Sequence, residues 1–200
     1  MNAGTEGTAD ALVRLDALQH ILSGRQKKPL ADPSYIPAGV LLVLYPRTDG
    51  YHVLFQKRSD RVEHHKGEIS LPGGAKDPED HTLLHTALRE TWEEVGIRPE
   101  HVSVLGELDD TPTRTRFSIS TYVATIPHPY QFKINEESLD LLEVPVQGLL
   151  DPRNVFADPR QLLGGGPLMR VYAHEHHRIF GATARIVDQF LVLVRQAQKV

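Results

Sequence analysis

An α/β layered fold is predicted by three features of the sequence. Stretches with apolar residues at helical spacing alternate with short runs that read as strands. Two hundred residues, 40% hydrophobic and 24% charged, suit one domain able to bury a sizeable core. No segment repeats, and nothing marks a second domain. Elements of both kinds in alternation pack as layers because each has an apolar face to bury. The formal charge of −4 supplies no basic footprint for a nucleic-acid backbone, so nucleic acid is not expected as a partner. The absence of cysteine rules out disulfides and thiolate metal sites and is compatible with a reducing compartment. No apolar run reaches the roughly 18 residues of a membrane span, and the N-terminus lacks the basic start and apolar core of a secretory signal. A cytoplasmic protein without membrane association is expected.

Residues Met1 to Thr8 are small and polar and read as a frayed end. From Ala9 to Leu22, Leu12, Leu15, Leu18, Ile21 and Leu22 recur at helical spacing, with Gly24 just past the end. Gln26 to Pro37 is a polar connector punctuated by prolines. Ala38 to Tyr45 reads as a buried strand and Tyr51 to Lys57 as its partner, joined through the turn residues Thr48-Asp49-Gly50. A second helix is expected to take Asp77 as N-cap, Pro78 at its first position and Asp80 in its first turn, and to stop at Gly96.

On that helix Glu90, Glu93 and Glu94 stand at i, i+3 and i+4, so three carboxylates share one face while Leu84, Leu88 and Val95 point elsewhere. Arg89, one turn before Glu93, offsets only one of the three charges. A divalent cation offsets the rest, and a hard ion such as Mg²⁺ or Mn²⁺ takes carboxylate and phosphate oxygens. The Pro72-Gly73-Gly74 turn lets the backbone approach the helix closely, making the Gly74 carbonyl a further candidate ligand. A solvated acidic face is the rival reading for a bare E-x-x-E-E triplet.

Gly74, Arg89-Glu90, Glu93-Glu94, Gly96 and Ile97 together resemble the Nudix box, G-x5-E-x7-R-E-U-x-E-E-x-G-U with U a bulky aliphatic residue. The gap from Gly74 to Arg89 is one residue longer than that pattern, no Glu follows x5, where Glu79 and Asp80 are the neighbours, and Thr91 replaces an aliphatic residue. The longer gap is similar to boxes of the coenzyme A pyrophosphatase branch, which often read GGxxDxxD before the helix. Upstream, Leu54, Arg58, Ser59, Gly67, Pro72, Gly73 and Gly74 match in register the L-L-T-x-R-[SA]-x3-R-x3-G-x3-F-P-G-G motif of that branch. Gln56, Glu63, Glu68 and Leu71 stand where the branch has Thr, Arg, Gln and Phe. Arg58, Arg61, His65 and Lys66 keep the segment net basic and, with Gly73 and Gly74, are the substrate-binding residues the resemblance implies; a solvated loop of mixed charge is the rival reading for any one of them.

Beyond the box, Val102 to Leu108 and Phe117 to Ile126 read as strands, with Asp109 and Asp110 between them better taken as a turn than as active-site carboxylates. Glu137, ahead of the Glu143-Val144-Pro145 run, occupies the place of a Nudix acidic residue that serves as a further metal ligand or general base; a helix-starting glutamate is its rival reading. Asp151 to Gly166 is loop-rich, with a turn at Leu163 to Pro167. Met169 to Phe180 reads as two short strands around His174-Glu175-His176-His177, of which only His174 and His176 can share a strand face, so a polar turn is favoured over a metal site. Gly181-Ala182-Thr183-Ala184 opens a last helix with Ile186, Phe190, Leu193 and Val194 as its stripe, an opening also similar to the coenzyme A branch.

The resemblance implies the Nudix fold, a mixed β-sheet sandwiched between α-helices, with residues 1–35 an N-terminal helix and connector and 36–200 the hydrolase domain. It implies a catalytic set of Glu90, Glu93, Glu94, Arg89 and Glu137, a Mg²⁺ or Mn²⁺ site on Glu90, Glu93, Glu94 and Gly74, and a small-molecule nucleotide substrate. The leading reaction is cleavage of the diphosphate of coenzyme A; the alternatives are ADP-ribose, NADH or dinucleoside polyphosphates, or a non-catalytic nucleotide-binding module. Family members are often homodimers, and the N-terminal helix is a candidate for such an interface or for covering the sheet.

Overall fold

The computed structural model describes residues 13–58, 67–135, 138–158 and 169–200, with the side chains of Ser138 and Leu139 left aside. At its centre is β1 (Ile36–Arg47), whose period-2 geometry sends Val40, Leu42 and Leu44 to one face and Leu41, Val43 and Tyr45 to the other. Both sets are buried, which is why the strand reads as an unbroken apolar run. β2 (Gly50–Arg58) returns antiparallel through the expected turn, with Arg47 opposite Gly50. β7 (Phe117–Thr125) lies parallel to β1 on its other side, and β5 (Ser103–Glu107) pairs antiparallel with β7. β8 (Ser138–Pro145) pairs with β2, so the sheet is mixed. Short strands β3 (Ile69–Ser70), β4 (Gly73–Ala75) and β6 (Thr111–Pro112) add to β2, β1 and β7 respectively.

Helices cover both faces. α1 (Leu15–Gly24) and α4 (Gly181–Ala197) lie on the face of Leu42 and Leu44, and α2 (Leu83–Val95) on the face of Leu41 and Val43. α1 uses its apolar stripe, Ala17, Leu18 and Leu22, on its own chain, against α4 and β5. The stripe of α4 is the expected one: Ile186, Phe190, Leu193 and Val194 are all buried, a fully enclosed side chain such as Phe190 contributing about 1.5–3 kcal/mol. A five-residue α3 (Val146–Leu150) follows β8. A small second sheet of β9 (Val155–Ala157), β10 (Arg170–His174) and β11 (His177–Ile179) follows and leads into α4.

Two details sharpen the sequence reading. Asp109 and Asp110 do more than make a plain turn: they pin the N-terminal connector. Arg25 donates to Asp109 at 2.5 Å and Lys27 pairs with Asp110 at 2.8 Å, while the N–H groups of Lys28 and Leu30 donate to the same two carboxylates at 2.9 Å. In the β10–β11 hairpin Glu175 and His176 form the turn, Glu175 at φ 51°, so His176 leaves the strand and His174 faces His177 across the hairpin instead. The polar turn favoured over a metal site is therefore what forms there. Among the described residues no helix is long and apolar enough to cross a membrane.

Candidate active site

α2 begins at Leu83, with Thr82 as its N-cap: Thr82 Oγ1 accepts from the His85 N–H at 3.1 Å. This corrects the expected start at Asp77 and Pro78. Residues 77–80 form a closed turn, the Asp80 N–H donating to the Asp77 carbonyl and the Asp77 N–H to Asp80 Oδ2, each at 3.0 Å. Local side-chain bonds of this kind compete with helix formation. The helix ends as expected at Gly96, which adopts φ 73° and donates its N–H to the Trp92 carbonyl.

Asp80, which is 2% exposed, is the anchor of the site. Arg89 grips it through Nε at 3.1 Å and Nη2 at 3.0 Å, Thr86 Oγ1 donates at 2.9 Å, and His85 Nδ1 stands 3.0 Å away. The Arg89 guanidinium holds the Asp80 carboxyl well below the usual carboxylate range, outweighing the burial that opposes it. The remaining nitrogen of Arg89, Nη1, reaches Glu90 at 2.9 Å and Glu93 at 3.1 Å. Arg89 therefore fixes the box carboxylates from a position that is itself fixed bidentately. The pairing with Glu93 is the expected one; Asp80 is the partner that sequence reasoning missed.

Glu94 occupies the floor of the site, 3% exposed. Its Oε2 accepts from Gln56 Nε2 at 2.6 Å and from the Gly73 N–H at 2.8 Å, and Arg58 Nη1 lies 3.7 Å from Oε1. Burial pushes its pKa up to about 7, against the opposite pull of Gly73, Gln56 and Arg58. Gly73 sits at φ 143°, a conformation other residues rarely adopt, because β4 is laid directly on β1. At Gly74 a Cβ would stand 2.5 Å from Glu90 Cδ and 2.7 Å from both its oxygens, so a side chain there would displace the carboxylate that the bare backbone meets directly.

The fold thus brings together Glu90, Glu94, Arg89, Arg58, Gly73 and Gly74. Glu93 is held by Arg89 but is half-exposed at 52%. Arg61, His65, Lys66 and Glu137, with Glu63 and the Leu163 to Pro167 turn, lie outside the described residues. Among the described residues no three acidic or imidazole groups already converge as an ion-binding cluster. The donor set nevertheless fits a hard divalent ion: Glu90 pressed against the Gly74 backbone, and beside it a buried Glu94 whose nearest cation among the described residues is 3.7 Å away.

A cavity of about 1240 Å³ opens beside the box. Arg58, Ser70, Gly73 and Gly74 line it, and so do Arg114 on the β6–β7 loop and Gly181 to Thr183 and Arg185 at the start of α4. Gln56 and the two far arginines are further residues that the sequence did not announce, since they stand in ordinary strand, loop and helix positions.

Residues 35–162 match the NUDIX domain family. An uncharacterized Nudix hydrolase, NudL, of Yersinia enterocolitica is 37% identical over 139 residues, 68% of this chain and 70% of its own. NudL of Citrobacter koseri, likewise uncharacterized, is 32% identical over 145 residues, 71% and 74% of the two chains. A MutT/nudix family protein from Enterococcus faecalis superposes with a TM-score of 0.54 at 15% identity, covering 98% of this chain and 76% of that one. The MutT protein from Methanosarcina mazei gives 0.52 at 19%, covering 86% and 98%. At those identities the likeness is one of fold alone. Fold, box and relatives together define an α/β pyrophosphohydrolase. The chain belongs to the Nudix family.

Proposed function

We propose that this enzyme cleaves the diphosphate of coenzyme A or its derivatives, releasing adenosine 3′,5′-bisphosphate and 4′-phosphopantetheine, in the cytoplasm and with Mg²⁺ or Mn²⁺. The observation that carries the reading is a convergence. The upstream motif (Arg58, Gly73, Gly74) and the Gly181-Ala182-Thr183 opening of α4, two of the segments similar to the coenzyme A branch, line one cavity next to the box helix.

Glu90, Glu93, Glu94 and the Gly74 carbonyl are the proposed metal ligands. The ion, when bound, neutralises charge on the diphosphate and lowers the pKa of the attacking water. Arg89, clamped by Asp80, keeps Glu90 and Glu93 oriented. Gln56 and the Gly73 N–H hold Glu94 in place from beneath. Arg58, with Arg61, His65 and Lys66, is proposed to receive the anionic substrate. Glu137 is proposed as a further ligand or the general base; the described neighbours on either side are Asn135, whose N–H donates to the Glu94 carbonyl at 3.2 Å, and Ser138, which pairs with Arg58.

A second reading, hydrolysis of ADP-ribose or NADH, is favoured by one observation. Glu68, where the branch has Gln, lines the cavity and puts a carboxylate beside an anionic substrate. Incubation with Mg²⁺ or Mn²⁺ and a panel of coenzyme A, acyl-coenzyme A, ADP-ribose, NADH and dinucleoside polyphosphates, with product identification, separates the two. Coenzyme A as the preferred substrate is the expected result; a preference for ADP-ribose sinks it.

A further inference from the structure

We infer that the stretch of cavity wall formed by Arg114, Arg185 and the first turn of α4 is a subsite for a ribose phosphomonoester, a phosphate that the enzyme grips but does not cleave. The inference deepens the coenzyme A reading and rests on the same cavity.

Charge balance is the first ground. Three arginines, Arg114, Arg116 and Arg185, line this part of the cavity. Arg116 faces Asp32, whose carboxyl is held below its usual value by hydrogen bonds from Ser34 and by the Arg116 charge. Neither Arg114 nor Arg185 pairs with a carboxylate among the described residues. Asp188, the acid nearby on α4, is already taken by Arg170 at 2.8 Å and Tyr172 at 2.5 Å. Burial and the neighbouring Arg114 charge push the Arg185 pKa down, as expected of two cations brought close together without an anion. A phosphomonoester carries close to two negative charges at neutral pH, and guanidinium forks match its oxygens.

The second ground is the placement of idle donors. Five buried side-chain polar atoms among the described residues have no hydrogen-bond partner, and three of them, Arg58 Nε, Ser70 Oγ and Arg185 Nε, belong to residues of this one cavity. Buried donors are normally satisfied, so their concentration here points to a ligand with acceptors at more than one place along the wall. Arg185 is pre-positioned, since its Nη2 donates to the Pro112 carbonyl. The loop that carries Arg114 is pinned as well: the Thr113 N–H donates to the Phe117 carbonyl and the Phe117 N–H to Thr113 Oγ1, both at 2.8 Å. The first turn of α4 has no side-chain cap and lines the same wall, adding its partial positive charge to the two arginines. At about 1240 Å³ the cavity exceeds the roughly 300–1,000 Å³ usual for small-ligand sites, leaving room beyond the diphosphate.

Calorimetric titration of the whole chain with AMP, adenosine 3′,5′-bisphosphate and adenosine 2′,5′-bisphosphate tests this directly. The 3′,5′-bisphosphate is expected to bind at least about 10-fold tighter than AMP, the worth of a charged hydrogen bond or more. That advantage is expected to vanish in both Arg114→Gln and Arg185→Gln; Arg114 is exposed on its loop, so the first variant folds even if the second does not. Bisphosphates no tighter than AMP, or an advantage that survives in Arg114→Gln and in folded Arg185→Gln, overturn the subsite, and they do so even if coenzyme A is hydrolysed. An arginine-dependent advantage confined to the 2′,5′ isomer supports the subsite while overturning coenzyme A as the substrate.

Discussion

Helices α1 and α4 bury Leu18, Leu22, Ile186 and Phe190 against one face of the sheet, whereas α2 brings to the other Val95 and Ala87 in company with Asp80, Thr86, Thr91 and Glu94, all buried as well. The first face gains from every apolar atom it removes from water. The second spends part of its area on polar groups whose burial costs free energy unless each is bonded. The contrast teaches how the molecule divides its labour: the α1 and α4 helices contribute apolar contacts, whereas the α2 face sets the polar groups of the site beside an apolar core of its own that includes Leu41, Val43, Tyr45 and Ile97.

That division can be broken by substitutions taken in order of size. Phe190→Ala, in the first face, is expected to cost about 3–5 kcal/mol by chemical denaturation; a loss under about 1 kcal/mol would mean that these apolar contacts do not stabilise the fold. Glu94→Gln, on the second, is expected to lower turnover by about 10²–10³-fold, while its unfolding midpoint moves far less than that of Phe190→Ala.

Asp80→Asn is expected to cost about 10–100-fold in turnover or metal affinity, because Arg89 loses the partner that aims it. It carries a pH signature too. A carboxyl with a lowered folded-state pKa contributes stability that is fully present above the unfolded value of about 3.9 and is lost as the pH falls from there through the lowered value. Acid titration of stability below about pH 4 should therefore be steeper in the parent chain than in Asp80→Asn. The smallest effect is expected at Lys27, which bridges Asp110, Glu107 and Ser120 at the edge of the first face. Lys27→Met should cost about 1 kcal/mol of stability by denaturation and leave turnover intact.

The sequence made the first face easy to read and the second hard. Period-2 and helical spacing identified β1, β2, β7 and the stripe of α4 because burial there is mainly apolar, with a few polar residues such as Gln56 and Thr121 among the apolar ones. The box carboxylates and their Arg89 were legible through spacing as well. The start of α2 was misread because Asp77-Pro78 has the chemistry of a helix opening, while the chain uses it to close a turn that delivers Asp80 to Arg89. Asp80 had a signal, as an acidic residue at the place that follows x5 in the box, but an aspartate in a helix's first turn reads first as a partner of the helix dipole. Gln56 and Arg185 carried no local signal. Their roles arise from β2 and α4 meeting the box across the fold, a long-range outcome that neighbouring residues do not encode.

The central claim is that Glu90 and Glu94 are set against the Gly73-Gly74 backbone to hold a divalent cation. Anomalous diffraction from crystals of the chain grown in millimolar Mn²⁺ tests it most directly. A manganese peak in contact with both carboxylates is predicted; well-ordered Glu90 and Glu94 side chains with no manganese between them would contradict it.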